Sequence, residues 1–444
     1  MSDNILLRNS VSSLMIKFAI PAIISMVLTS VQSMIDGMFL GRYAGSNAMA
    51  SVNIASPYLQ IILGAAFIIT TGTMSYLGRT LGEKTNMQKA KNIFKTAVNS
   101  LFAILLVLSL IGIFFNEKIA LFLGANEVLL EETSLYIKIS SFFAVFVGFM
   151  ILFGFVARLL EKPQLYMIST IVCLVCNIVL DYIMVKNMKL GILGASLATG
   201  ISYLIACLFV IAPVISKKSV VNIYEGKFKI NIFMNVFYNG SSEGVTSLAS
   251  AITMTLFNIT FMKYAGENAV AAFTIIGYIG MISILVMFGM SDGVSSILSY
   301  NYGAKKLDRV KQTLKIAMFS NILVGVISFI ILNVFKKELI GLFIVDNKFV
   351  LEFAINGTKI YSLSLLMAGV SILLSGYHTS IGNALYSIII SASRGLIFIV
   401  IGINILPKIF GIDGVWLTVV FAEFMTLIIC GVIYFIEKLN NRVD

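Results

Sequence analysis

The fold class predicted by the amino-acid sequence is an all-α integral membrane protein. It is expected to have about twelve transmembrane helices in two homologous six-helix lobes, related by a pseudo-two-fold axis along the membrane normal. Three observations lead there. The 444 residues are 59% hydrophobic and only 12% charged, about half the charged fraction of a soluble domain, and the mean hydropathy is +0.97. The apolar residues gather into runs long enough to cross a hydrocarbon core of about 30 Å. Short signatures recur through the chain at one nearly constant offset.

The runs lie near 13–40, 48–77, 92–115, 132–157, 164–185, 190–215, 233–262, 269–299, 313–335, 352–377, 384–406 and 411–436. Pro21 and Pro57 fall inside the first two and predict kinks, because each removes a backbone donor. The first run is itself long enough to span, and the opening MSDNILLRNS has no pattern of a cleavable signal peptide. Basic residues concentrate at one set of helix ends, among them Arg79, Lys84, Arg158, Lys217, Lys305 and Arg309, whereas the acidic run Glu127, Glu131 and Glu132 marks the other. By the positive-inside rule the basic set is cytoplasmic, both termini are inside, and the location is the cell membrane. The net charge of +11 is therefore read as a topology signal, with no nucleic-acid partner.

The repeat supplies the domain plan. Tyr43-Ala44-Gly45-Ser46-Asn47-Ala48 recurs as Tyr264-Ala265-Gly266-Glu267-Asn268-Ala269, and Gly82-x-Lys84 recurs as Gly303-x-Lys305, at an offset of 221. Leu165-Tyr166 and Leu385-Tyr386, like Gly191-Ile192-x-Gly194 and Gly411-Ile412-x-Gly414, stand 220 apart. Six spans per half is even, so both halves enter the membrane from the same side and form parallel repeats, a transporter-type plan. The expected lobes are residues 1–215 and 232–444, joined by a polar cytoplasmic linker over 216–231.

Charged residues inside the spans are few: Asp36, Asp181, Glu243, Asp292, Glu423 and Arg394. An ionised side chain costs about 2.5–3.5 kcal/mol at mid-membrane on insertion scales, so such residues face a polar interior and mark function by default. Asp181 has Asn177 one helical turn before it, and Thr199 on the returning helix at similar depth. In the repeat Asp36 corresponds to Phe257 and Asp181 to Ile401, so the second lobe lacks both carboxylates. That asymmetry favours a cation site in the first lobe, where Asp36 and Asp181 share a proton, or share a sodium ion with Asn177 and Thr199. No other metal site is expected. Glu243 and Asp292 are candidate acids for a cationic substrate or for coupling. Arg394 and Glu423 are expected to pair, in a structural role. Arg158 and His378, equivalent at offset 220, are expected at helix ends, snorkelling to the interface.

The four cysteines lie within apolar runs, and Cys173-x-x-Cys176 lacks the βαβ context of a redox motif. No HExxH, G-x-S-x-G or Walker sequence occurs, which argues against an enzyme and against an ATP-driven pump.

Taken together, the chain resembles the multidrug and toxic compound extrusion (MATE) family over essentially its whole length, and most of all its bacterial drug exporters. The resemblance rests on Asp36-Gly37-Met38-Phe39-Leu40-Gly41, Asn177-x-x-x-Asp181, Gly194-Ala195-Ser196-Leu197-Ala198-Thr199 and Ser299-Tyr300-Asn301-Tyr302-Gly303-Ala304-Lys305, in this order within two six-span halves. It implies V-shaped lobes, alternating access and a first-lobe site for the coupling proton or sodium ion at Asp36, Asn177, Asp181 and Thr199, with Tyr136 added. The expected function is secondary antiport: amphipathic organic cations leave the cytoplasm in exchange for protons or sodium ions, without a cofactor, in a protein acting as a monomer. The alternatives are a lipid-linked sugar flippase of related fold, or, from a different class, a non-transporting membrane receptor or enzyme.

Overall fold

A computed structural model describes residues 4–84, 86–343 and 348–440. Twelve helices among these are long and apolar enough to cross a membrane: Val11–Ala44, Ser46–Glu83, Met87–Phe114, Leu130–Leu159, Gln164–Asn187, Gly191–Val210, Ile230–Ala265, Glu267–Gly303, Leu307–Val334, Val350–Ile381, Ala384–Phe410 and Ile412–Leu439. Helices are the expected outcome, since backbone polar groups in lipid must be satisfied within the segment. Pro21 and Pro57 sit inside unbroken helices. Several helices exceed their apolar runs. Glu243 lies about 20 Å along its helix from Ile230 at 1.5 Å per residue, nearer that end than Ala265.

The two lobes repeat one another's packing. The second span packs on the fourth, the fourth on the sixth and the fifth on the sixth; the eighth likewise packs on the tenth, the tenth on the twelfth and the eleventh on the twelfth. Between lobes the first span meets the eighth and the second meets the seventh, which are equivalent contacts under the repeat. The connections repeat as well. Gly45 (φ +97°) and Gly266 (φ +71°) turn the chain between consecutive spans in the left-handed region that glycine tolerates. Lys84 (φ +56°) and Lys305 (φ +57°) share the left-handed conformation at the other end.

The lobes are joined in their basic halves. Gly72 and Gly240 let the second and seventh spans touch backbone to backbone: a Cβ on Gly72 would fall on the carbonyl of Val236, and one on Gly240 on that of Ile68. Ser75 Oγ donates to the Thr379 carbonyl (2.5 Å). A short helix, Ile5–Arg8, lies across the seam. The Ile5 amide donates to Glu161 Oε1 (3.3 Å) of the first lobe. The Leu6 carbonyl accepts from Asn301 Nδ2 (3.1 Å) and Arg309 Nη2 (3.0 Å) of the second. The connection after the sixth span is strapped to the third: the Lys227 amide donates to Asn92 Oδ1 (2.8 Å) and Lys95 Nζ to the Ile223 carbonyl (2.8 Å). Glu225 pairs with Lys91, and hydrogen bonds from Lys91 and Asn222 hold its carboxyl below the ordinary range.

Candidate functional site

Two polar centres lie inside the bundle, one in each lobe. The first gathers residues from four spans. Thr199 Oγ1 donates to Asp36 Oδ1 (3.2 Å) and accepts from Asn177 Nδ2 (3.3 Å). Asp181 lies beside Asp36 within hydrogen-bonding reach, and Tyr136 stands near both carboxylates. All but Thr199 are buried; Asp36 is 8% exposed, Asp181 and Asn177 0%. Both carboxylate oxygens of Asp181 and the amide oxygen of Asn177 lack a hydrogen-bond donor among the described residues. Three orphaned oxygens beside a second carboxylate fit a proton or a small hard cation, because acceptors alone cannot satisfy one another. The structure thus brings Asp36, Tyr136, Asn177, Asp181 and Thr199 together.

Local backbone shapes this centre. The first span passes into a π-helical turn over Leu40–Ala44, which begins four residues after Asp36. The fifth does so over Tyr182–Asn187, directly after Asp181. Such wide turns recur at functional sites because they re-aim side chains at modest cost. Two further members escaped the sequence reading. Tyr203 is near Asp36 and Tyr136, and Gln32 contacts Cys173 in the same core. Each stands four residues from an identified member, Tyr203 after Thr199 and Gln32 before Asp36, so the helical period was the available signal.

The second centre is a cavity of about 510 Å³ lined chiefly by the second lobe, with Thr71, Met74, Ser75 and Phe155 from the first. Glu243, Asp292, Arg394 and Glu423 all line it. Arg394 Nε donates to Glu423 Oε1 (2.6 Å), and Ser371 Oγ donates to Glu423 Oε2 (2.7 Å). Arg394 also begins a π-helical turn's second residue, within Ser393–Ile397. A chain of hydroxyls joins Ser391, Ser375 and Thr379 of the cavity wall to Ser387 and Ser242: Ser391 to Ser375 (2.9 Å), Ser375 to Ser387 (3.1 Å), Ser387 to Thr379 (2.6 Å) and Thr379 to Ser242 (3.2 Å). Methionines and aromatics, including Met254, Met281, Phe273 and Phe288, complete the wall.

Two expectations are corrected. Arg158 and His378 do not snorkel; they are 2% and 4% exposed. Arg158 stacks over the ring of Phe155 (4.3 Å) and donates from Nη1 to the Asp292 carbonyl across the lobes (3.2 Å). His378 Nδ1 lies 3.6 Å from Glu437 Oε1. Both do stand at helix ends, Arg158 one residue before Leu159 and His378 three before Ile381, but neighbouring side chains enclose them.

Twelve crossing helices, packed as two equivalent lobes that each shelter ionisable groups, define a multi-pass membrane transporter rather than an enzyme. The MatE family profile matches residues 21–183 and 243–404, one segment in each lobe, and the chain belongs to the MatE family. The multidrug export protein MepA of Staphylococcus aureus is 26% identical over 439 residues, covering 98% of this chain and 96% of the relative. Among solved structures, an outward-facing multidrug resistance MATE family transporter of the MOP superfamily superposes with a TM-score of 0.88 at 21% identity, covering 97% of this chain and 96% of that one. A MOP superfamily transporter from Pyrococcus furiosus, described as having a binding pocket of reverse polarity, superposes at 0.87 with 22% identity and the same coverage.

Proposed function

We propose that this chain exports amphipathic organic cations, drugs among them, in exchange for inward-moving protons or sodium ions, by alternating access between the lobes. The observation that carries the reading is Asp181: wholly buried, its carboxylate oxygens without a donor among the described residues, and beside Asp36. Two neighbouring carboxylates in an apolar interior cannot both hold charge, so a proton or sodium ion between them neutralises the site. Asp36, Asp181, Asn177 Oδ1 and Thr199 would hold the ion, and Tyr136 would close the site against lipid. A one-for-one exchange of a monovalent cation for a proton or sodium ion moves no net charge and is driven by the ion's concentration gradient alone; each further inward charge adds about 2.3 kcal/mol per 100 mV. The cargo would occupy the second-lobe cavity, where three carboxylates face one arginine. That balance supports a cationic cargo over the pyrophosphate of a lipid-linked sugar. We take the working unit to be a monomer, and the positive-inside rule applied to the basic loops supports cytoplasmic termini.

The test is uptake of a fluorescent cation into inside-out vesicles, with proton and sodium gradients imposed separately. Asp181→Asn is expected to insert normally and to lose uphill export at least tenfold, because an amide cannot alternate between charged and neutral forms. Uphill export at the wild-type rate by normally inserted Asp181→Asn protein would sink the coupling site. Glu243→Gln and Asp292→Asn are expected to weaken export of cations and to spare neutral cargo; equal losses for both would point to a packing role instead.

A further inference from the structure

Arg394 differs from the other basic residue of the interior. Arg158 is enclosed against aromatic rings, whereas the Arg394 side chain is 18% exposed and lines the cavity. A guanidinium has five N–H donors, and Arg–carboxylate bridges frequently engage two of them. Among the described residues only Nε of Arg394 is hydrogen-bonded. Its partner Glu423 is 4% exposed, and Ser371 occupies the other carboxylate oxygen. The ring of Phe288 lies 5.6 Å from the guanidinium carbon, within cation–π reach. The backbone is tied where Thr253 Oγ1 donates to the Gly395 carbonyl (2.7 Å), while the side chain springs from a widened π-helical turn.

We propose that Arg394 is an internal stand-in for the cargo. Its guanidinium occupies the cation subsite formed by Glu423, Ser371 and Phe288, and a planar, delocalised organic cation binds by displacing it. The inference rests on the reading that the cavity carries organic cations, and it adds the subsite and the chemical class of cargo. Glu423 needs a cation at all times, because a lone carboxylate buried in the membrane is costly. Arg394 meets that need when no cargo is bound. It is planar, so whatever replaces it inherits the same carboxylate and the same aromatic face. The displaced guanidinium finds new partners in Glu243 or Asp292, which line the same cavity. Competition from a tethered cation lowers the apparent affinity for cargo by the fraction of time that the subsite is taken. Neutral molecules gain nothing from displacing Arg394, because they cannot compensate Glu423.

The test measures equilibrium binding of ethidium, a planar cation, and Nile red, a neutral dye, to the purified full-length protein. Arg394→Gln is expected to tighten ethidium binding about tenfold, one step of about 1.4 kcal/mol, without changing Nile red. Glu423→Gln is expected to weaken ethidium binding by a similar factor, and the double variant to match Glu423→Gln alone. Unchanged or weaker ethidium binding by folded Arg394→Gln overturns the exchange, since a purely structural bridge gives no gain on its removal. Should Arg394→Gln fail to fold, Arg394→Lys decides: it keeps the charge but not the planar fork, and a smaller gain is expected, none being a refutation. Wild-type protein that binds neither ethidium nor another organic cation would fail the cargo reading itself, whereas normal wild-type binding without gain in the variants fails only the exchange.

Discussion

At the residue scale, Thr199 is the hinge of the first-lobe centre, because one hydroxyl serves two partners. It gives its proton to Asp36 Oδ1 and receives one from Asn177 Nδ2. Thr199→Val keeps the shape and strips both bonds, leaving polar groups unpaired at a cost of about 1–3 kcal/mol. The expected outcome is a lower unfolding temperature and at least a tenfold loss of coupled export, with Thr199→Ser restoring most of both; a variant that is less stable yet exports normally would remove Thr199 from the ion site. Legibility at this scale followed cost. Asp36 and Asp181 stand out in the sequence because a carboxylate in an apolar run is expensive. Tyr203 and Gln32 do not, since either residue type is commonplace in such a helix, and only their four-residue spacing from Thr199 and Asp36 ties them to the centre. The cavity hydroxyls were equally silent. Ser375, Ser387 and Thr379 become a chain only when the tenth and eleventh spans are packed together.

At the element scale, the close seam between the second and seventh spans depends on Gly72 and Gly240, where any Cβ meets backbone of the opposite helix. Gly240→Val is expected to hold the lobes apart in their basic halves, overpacking of this kind costing about 1–3 kcal/mol. The buried Ser299 reports on it. A Ser299→Cys thiol should resist a water-soluble maleimide in the otherwise wild-type protein and react within minutes once Gly240→Val is added. Equal labelling in both would mean that the seam does not govern access. Turns were the most legible elements, and the structure gives the reason: Gly45 and Gly266, and Lys84 and Lys305, hold matching left-handed conformations 221 residues apart, so the sequence around them is restricted in both halves. The π-helical turns after Asp36 and Asp181 and around Arg394 left no such trace. A one-residue widening of a helix changes hydrogen-bond partners without requiring any particular side chain.

At the scale of the whole molecule, the two lobes share a plan and differ in content. Where the first lobe has Asp36, the second has Phe257, stacked on Phe273 (5.1 Å) within a cluster that includes Phe261, Phe353 and Trp416. At this position the first half holds a buried carboxylate and the second an aromatic cluster, and the repeat in the sequence announced the plan and the missing acids but not the rings that replaced them. If transport requires the lobes to part in their basic halves, a disulfide between Gly78→Cys and Ser299→Cys, whose side-chain positions face each other across the lobes, should stop export on oxidation and release it on reduction. Continued export by the fully cross-linked protein would exclude that motion. The short helix at the start of the chain carries a further consequence, for biosynthesis. Its Leu6 carbonyl is held by Asn301, 295 residues later. At about 5–20 residues per second, the first residues made wait roughly 15–60 s for the partner that seats them. The clasp across the two lobes is therefore closed only after the eighth helix has emerged, so the helix Ile5–Arg8 finds its place long after its neighbours in sequence have been made.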